Sequence, residues 1–267
     1  GPVPAVVTIT GSSPQDRDNN TRYGGPYRIF RQVADTLGRR GIAVLRLDDR
    51  GVGQSTGDFE SSTTADRAGD TREALAYLRG LREIDAKRVA LVGLSEGGVI
   101  APMIAATDTA LKGIVLLAAP ASTGRQILEY QGRYNIAQTP SIRPERRDSA
   151  YRAEAAKMEA QIATEPWLRY FISYDPLPTA RRVRVPVLIL QGTTDRNVPP
   201  SDAEKLARAL REAGNRDVTV RMFEGVNHVF LRDPDGNPRR YEALPSFAVI
   251  PEALGAIADW TVDHLKP

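Results

Sequence analysis

One serine in this chain sits where a hydroxyl could be made to react. Gly93-Leu94-Ser95-Glu96-Gly97-Gly98 follows directly on the apolar run 88–92 and opens a helix-forming stretch. The G-x-S-x-G pattern describes a strand, a sharp turn carrying the serine, and a helix whose N-terminus points at whatever the serine attacks. A serine hydroxyl is a weak nucleophile until a base takes its proton. His228, in Gly225-Val226-Asn227-His228, lies in the loop after the apolar run 218–223, whereas His264, the only other histidine, lies on a closing amphipathic segment. An imidazole base needs an acid to hold its tautomer and stabilise the imidazolium. Asp195, in Gly192-Thr193-Thr194-Asp195, follows the preceding apolar run. Its rival role is to cap the helix that starts near Ser201, a task for which Ser201 itself is better placed.

These three residues converge only if the runs before them are neighbouring strands. Short β-branched segments at 5–10, 42–47, 88–92, 114–117, 185–190 and 218–223 alternate with longer stretches of helical spacing at 27–40, 64–82, 97–106, 201–213 and 251–265. That alternation predicts an α/β fold, with six mostly parallel strands and helices on both faces. Ser95, Asp195 and His228 each follow a strand, so all three fall at the carboxyl end of the sheet. Pro102 is expected to remove one backbone bond from the helix after the serine.

Residues 121–184 break the alternation. They are helical and polar-rich, and they lie between two strands at the end where such folds bind ligands. The segment reads as a helical cap or lid, with 1–120 and 185–267 as the core; its rival is an ordinary packing excursion. Trp167, Tyr170 and Phe171 either line a substrate pocket from this cap or simply pack.

The order Ser, Asp, His on successive post-strand loops resembles the α/β-hydrolase superfamily, over almost all of its core. A narrower resemblance rests on Gly11-Ser12-Ser13-Pro14-Gln15-Asp16-Arg17-Asp18, on Asp49-Arg50-Gly51-Val52-Gly53-Gln54-Ser55 and on the Ser-Glu-Gly-Gly turn. These are similar to a bacterial branch of carboxylesterases and serine aminopeptidase-like hydrolases, related to the prolyl oligopeptidase and dienelactone hydrolase groups. The resemblance implies an oxyanion hole formed by the backbone N–H of Glu96 and that of Ser12, or else Ser13; Pro14 has no N–H to give. Each such donor is worth ~3 kcal/mol to a tetrahedral intermediate. It also implies ester cleavage through an acyl-enzyme on Ser95, with no metal or organic cofactor. The alternatives are an aminopeptidase, an oligopeptidase or a thioesterase with the same triad, or a non-catalytic binding protein. In the peptidase reading Glu96, expected to be exposed on its turn, would be a candidate anchor for a peptide terminus. Asp16, Arg17, Asp18 and Arg50 are read as structural ion pairs.

The family core usually has eight strands, and the first two are missing here. The edge they would cover is expected to be met by a homodimer or by an N-terminal module absent from this sequence. Gly1-Pro2 has the look of a tag remnant, which leaves room for natural sequence before it, a signal peptide included. The loop 232–246 is long enough to pack on the site or on a neighbouring subunit. With 36 Lys+Arg against 33 Asp+Glu and no basic stripe, nucleic acid is not an expected partner. No apolar run is long enough to span a bilayer. The absence of cysteine excludes disulfides, thiolate metal sites and a cysteine nucleophile. The expectation is therefore a soluble bacterial enzyme with a small-molecule ester substrate, leaning towards export or the periplasm.

Overall fold

Six apolar runs become six strands, all parallel, in the order β2-β1-β3-β4-β5-β6. The computed structural model describes residues 1–21 and 25–267. In chain order the elements are β1 (Val3–Ile9), α1 (Ile29–Gly38), β2 (Ala43–Leu45), α2 (Thr64–Gly80), β3 (Ile84–Leu94), α3 (Gly97–Ala105) and β4 (Gly113–Leu117). Next come α4 (Gly124–Ala137), α5 (Arg147–Ile162), α6 (Pro166–Ser173) and α7 (Pro176–Ala180). The chain closes with β5 (Val187–Gly192), α8 (Asp202–Glu212), β6 (Val218–Phe223) and α9 (Pro251–His264).

Near-continuous apolar strands are what a sheet buried on both faces requires. Alternate residues go to opposite cores. Ala5, Val7, Val89, Leu91, Ile114, Leu116, Val187 and Ile189 face α2, α3 and α8. Val6, Ala90, Val92, Val115, Leu117, Leu188 and Leu190 face α1 and α9. Two strands differ most in length from the sequence expectation. β2 stops at Leu45 because it is an edge strand and its pairing with β1 ends at Val7. β3 begins at Ile84, where Val3 pairs with it before a bulge. The charged Asp85, Lys87 and Arg88 hid this extension; they sit at the solvent end of the sheet.

The chain runs from β1 outward to β2 and then returns across β1 to β3. The point where strand order reverses therefore lies between β1 and β3, which is where open α/β sheets bind ligands. The loop after β1 (Thr10 to Gln15) and the loop after β3 (Ser95) flank it. Two glycines let these backbones meet. A Cβ on Gly93 would lie 2.1 Å from the carbonyl oxygen of Gly97, and a Cβ on Gly97 would lie 2.1 Å from that of Ile9. Pro102 stands inside α3, as its position in the sequence implies.

The segment between β4 and β5 is not uniform. α7 is part of the main body, with Ala180 and then Val183 in the same core as β3 and β4. α4 and α6 instead meet the loop after β5 in a small separate apolar cluster, Ile127, Phe171 and Val198, with Leu128 and Trp167 against it. Two contacts tie the start of this segment to the core. Asp202 accepts from the backbone N–H groups of Ala121 (3.0 Å) and Ser122 (2.8 Å).

Gly97→Ala is expected to destabilise the fold by more than the ~1–3 kcal/mol usual for an overpacked core, because the obstacle is β-strand backbone rather than a movable side chain. Equilibrium denaturation checks this; a variant as stable as the parent would show that the two loops can separate freely.

Candidate functional site

Ser95 is held in a left-handed conformation, φ +56°, which costs a non-glycine residue of order 1–3 kcal/mol. Its N–H donates to Leu117 O at the end of β4 (2.8 Å), and its carbonyl accepts from Gly98 N–H (2.8 Å) as α3 begins. The side chain is thereby lifted out of the sheet. Ser95 lines a cleft of about 340 Å³ together with Ser12, Glu96 and His228.

The loops after β5 and β6 bring an acid and an imidazole together. His228 Nδ1 lies 2.7 Å from Asp195 Oδ2, and both side chains are buried. Asp195 is fully saturated otherwise: Oδ1 accepts from the N–H groups of Asn197 (2.7 Å) and Val198 (2.9 Å), and Oδ2 also accepts from Gln191 Nε2 (2.9 Å). A buried carboxylate so surrounded is fixed in one orientation, which fixes the imidazole in turn. Asn227 braces the His228 loop by accepting from Val229 (3.1 Å) and Leu231 (3.0 Å). The Tyr241 hydroxyl accepts from His228 N–H at 3.4 Å, and burial, with the Asp195 charge adding to it, pushes that phenol far above its ordinary value. Tyr241 and Pro238 place the loop 232–246 against the cleft.

On the other side, the loop after β1 is closed by Gln15, whose side chain accepts from Gly11 N–H (3.1 Å) and donates to Ser12 O (2.8 Å). Asp49 holds the same loop, accepting from Thr10 Oγ1 (2.6 Å) and Gln15 N–H (2.9 Å). Burial raises the Asp49 carboxyl, with the Arg67 charge opposing. The backbone N–H groups of Ser12 and Glu96 have no acceptor among the described residues.

Arg67, on α2, joins the two sides. It is buried, and its Nη2 donates to Gly11 O (2.8 Å), Thr10 Oγ1 (3.0 Å) and Thr10 O (3.2 Å). Its Nη1 lies 3.1 Å from Glu96 Oε2. Glu96 also accepts from Thr64 Oγ1 (2.6 Å) and from the Trp167 indole N–H (3.0 Å). One carboxylate thus links the serine turn, α2 and α6.

A model of the family described as serine aminopeptidase, S33, matches residues 21–235. The chain belongs to that family. Esterase EstD of Thermotoga maritima is 28% identical over 98% of this chain and 63% of its own length. Dipeptidyl aminopeptidase BIII of Pseudoxanthomonas mexicana is 28% identical over 88% of this chain and 31% of its own. The chain therefore spans less than two thirds of these curated relatives. A solved esterase of Pyrococcus furiosus superposes with a TM-score of 0.68 at 16% identity, covering 100% of this chain and 83% of that one, which shows the α/β-hydrolase fold.

Within this family frame, several sequence expectations change. Glu96 is not exposed: it is 1% accessible, because its side chain turns under the loop to meet Arg67. Tyr170 does not line the cleft; its ring stacks on Tyr174 at 5.6 Å, while Trp167 and Phe171, one helical turn apart on α6, do line it. His264 is remote, bonded to Trp260 O (2.8 Å) and Asp217 (3.2 Å) on α9. Ser201 makes no side-chain cap at α8. Arg17 pairs with Asp48, Asp18 with Arg46, and Arg50 with Asp70, as structural ion pairs. Arg67, Gln15, Gln191 and Tyr130, whose hydroxyl donates to Asp195 O at 2.9 Å, went unread. For Arg67 the one available signal was a charged residue on the inward face of an amphipathic helix. Among the described residues no helix is long and apolar enough to cross a membrane, and no cluster of His, Asp and Glu could hold a metal ion.

Arg67→Met leaves the Glu96 charge buried without its cation, a change that costs about 3–5 kcal/mol. Chemical denaturation should show that loss, and the double variant Arg67→Met/Glu96→Gln should regain part of it. Equal stability of parent and single variant would mean that Glu96 does not depend on Arg67.

Proposed function

We propose that the protein is a serine hydrolase that cleaves small carboxylic esters, with Ser95 as nucleophile, His228 as base and Asp195 as the acid that orients it. The observation that carries this reading is the buried His228–Asp195 contact of 2.7 Å, on the same cleft as a serine held at φ +56°. Ser95 Oγ attacks the acyl carbon as its proton passes to His228 Nε2. That nitrogen is the free one because Nδ1–H is committed to Asp195. His228 then protonates the leaving alcohol, and water activated by the same nitrogen releases the acid. The Ser95–His228 contact closes with substrate in place, as such contacts commonly do.

The negative oxygen of the tetrahedral intermediate is received by the N–H groups of Ser12 and Glu96, which line the cleft beside Ser95 without other acceptors among the described residues. The N-terminus of α3 adds its positive end. The cleft volume lies at the low end of small-molecule sites, roughly 300–1,000 Å³, which favours a modest acyl or alcohol group. Residues 121–184 supply the cap through α4 and α6, with Trp167 as a substrate contact.

The family description and one relative favour a second reading, cleavage of peptides from a free amino terminus. That chemistry needs an unengaged carboxylate to anchor the ammonium. Glu96 is the one acid lining the cleft among the described residues, and it is spent on Arg67, Thr64 and Trp167. We therefore place esters ahead of peptides and thioesters. The outer edge of β2, which has no neighbour in the sheet among the described residues, is inferred to be covered by a second copy or a further module.

Ser95→Ala should lower p-nitrophenyl acetate hydrolysis by at least about a thousandfold and abolish labelling by a fluorophosphonate. Asp195→Asn should lower kcat by on the order of 10³–10⁴ with little change in folding, because the amide no longer selects the working tautomer. A Ser95→Ala protein that hydrolyses the ester at the parent rate would end the reading.

A further inference from the structure

α5 is a helix of 16 residues without a single buried side chain. Helices in folded proteins owe most of their stability to an apolar face packed on something. α5 is fastened to its neighbour α4 differently, by groups at its margins. Arg125 pairs with Glu159, the Arg133 guanidinium lies 4.3 Å over the Tyr151 ring, and Arg147 donates to Ala137 O at 3.1 Å. Between these fastenings lies a space of about 710 Å³, partly open to solvent and lined mainly by α4, α5 and α6, with Glu129, Glu154, Lys157, Glu165 and Arg239 beside its apolar side chains. Ile136, Ile142, Tyr151 and Met158 border it and are only half-buried. Apolar side chains held around open space gain little until an apolar body fills it.

This cavity adjoins the site of the proposed reaction. Leu128, Gln131 and Trp167 line both it and the cleft that contains Ser95. Trp167 is the largest of the three, and it is held from two sides. Its ring stacks on Phe171 at 4.9 Å, and its indole N–H donates to Glu96, the residue that follows the serine.

We propose that the space beneath α5 is a second compartment of the substrate site, suited to the aliphatic chain of a longer ester, and that Trp167 is the partition that sets how much chain enters it. The proposal rests on the reading of Ser95 as nucleophile, since the chain would belong to an ester whose carbonyl sits there. Trp167 acts as a specificity-determining wall. With it in place the cleft beside Ser95 ends at the indole and short esters are preferred. With it removed the two spaces join.

The test compares kcat/KM for p-nitrophenyl esters from acetate to dodecanoate. Trp167→Ala should raise the ratio of decanoate to acetate at least tenfold over the parent. Adding Met158→Trp, which fills the far compartment without touching the cleft, should take that gain back. If the alanine variant does not fold, Trp167→Gln retains an N–H donor for Glu96 while removing the bulk, and the same shift is expected. A uniform loss at every chain length, or a gain that survives Met158→Trp, would overturn the proposal. So would a dimer in sedimentation velocity that Met158→Trp dissociates, since the α5 face would then be covered by a second copy.

A binding measurement separates this proposal from the chemistry. Dansyl-undecanoic acid should bind the Trp167→Ala protein at least tenfold more tightly than the parent, and the double variant should return to the parent value. If no ester is hydrolysed and Ser95 is not labelled, the catalytic reading fails while this titration still decides the compartment. Equal affinity in all three proteins would remove it.

Discussion

The buried pair of Arg67 and Glu96 is the constraint on which the candidate site depends. The two loops at the strand reversal belong to different strands, and both line the cleft. Nothing in the sheet fixes their separation beyond its last ladder bonds. Arg67 does so from below, gripping the carbonyls of Thr10 and Gly11 with one nitrogen and the carboxylate of Glu96 with another. A guanidinium suits this because its donors lie in one rigid plane, whereas a lysine would offer a single flexible point. Both charges are withdrawn from water. The arrangement is tolerable because polar groups are directed at them, Thr64, Trp167 and Asp49 on one side and backbone carbonyls on the other, with the Phe59 ring 5.1 Å from the guanidinium.

Preorganisation of this kind supports the proposed oxyanion role of the cleft. Donors that stand in place before a negative oxygen forms need not reorganise when it does. The opposite wall follows the same rule. Asp195 is saturated by two backbone N–H groups and Gln191 before His228 is considered, so the imidazole inherits a fixed partner. The helices above the cleft are joined to it by side chains: α4 touches the acid loop through Tyr130 and Gln131, and α6 reaches the serine turn through Trp167.

The strands, and the places of Ser95, Asp195 and His228 just beyond three of them, were legible because each carries a local mark. Apolar runs announce strands, a glycine-flanked serine announces a turn, and a histidine or aspartate just beyond a strand has few other reasons to be there. Glu96 was misread because the residue after the serine lies on a turn, and turns are usually solvated. Its burial follows from Arg67, some thirty positions earlier on another element, and no local pattern pairs the two. Tyr170 and Phe171 differ only in helical phase. Which of them meets the cleft depends on how α6 is rotated against α4, and that is settled by Trp167 bonding to Glu96. Gln15 and Gln191 fall in the same class, since a glutamine's value here lies wholly in what the fold brings to it.

The order of the strands along the chain has a consequence for biosynthesis. Ser95 and both loops that cradle it are complete by the time β4 has been made, but Asp195 and His228 follow the last two strands. In the proposed scheme, a polypeptide still leaving the ribosome therefore holds the serine turn long before its base is made. In that scheme reactivity arrives late, with the final edge of the sheet, and only the loop 232–246 and α9 follow it along the chain.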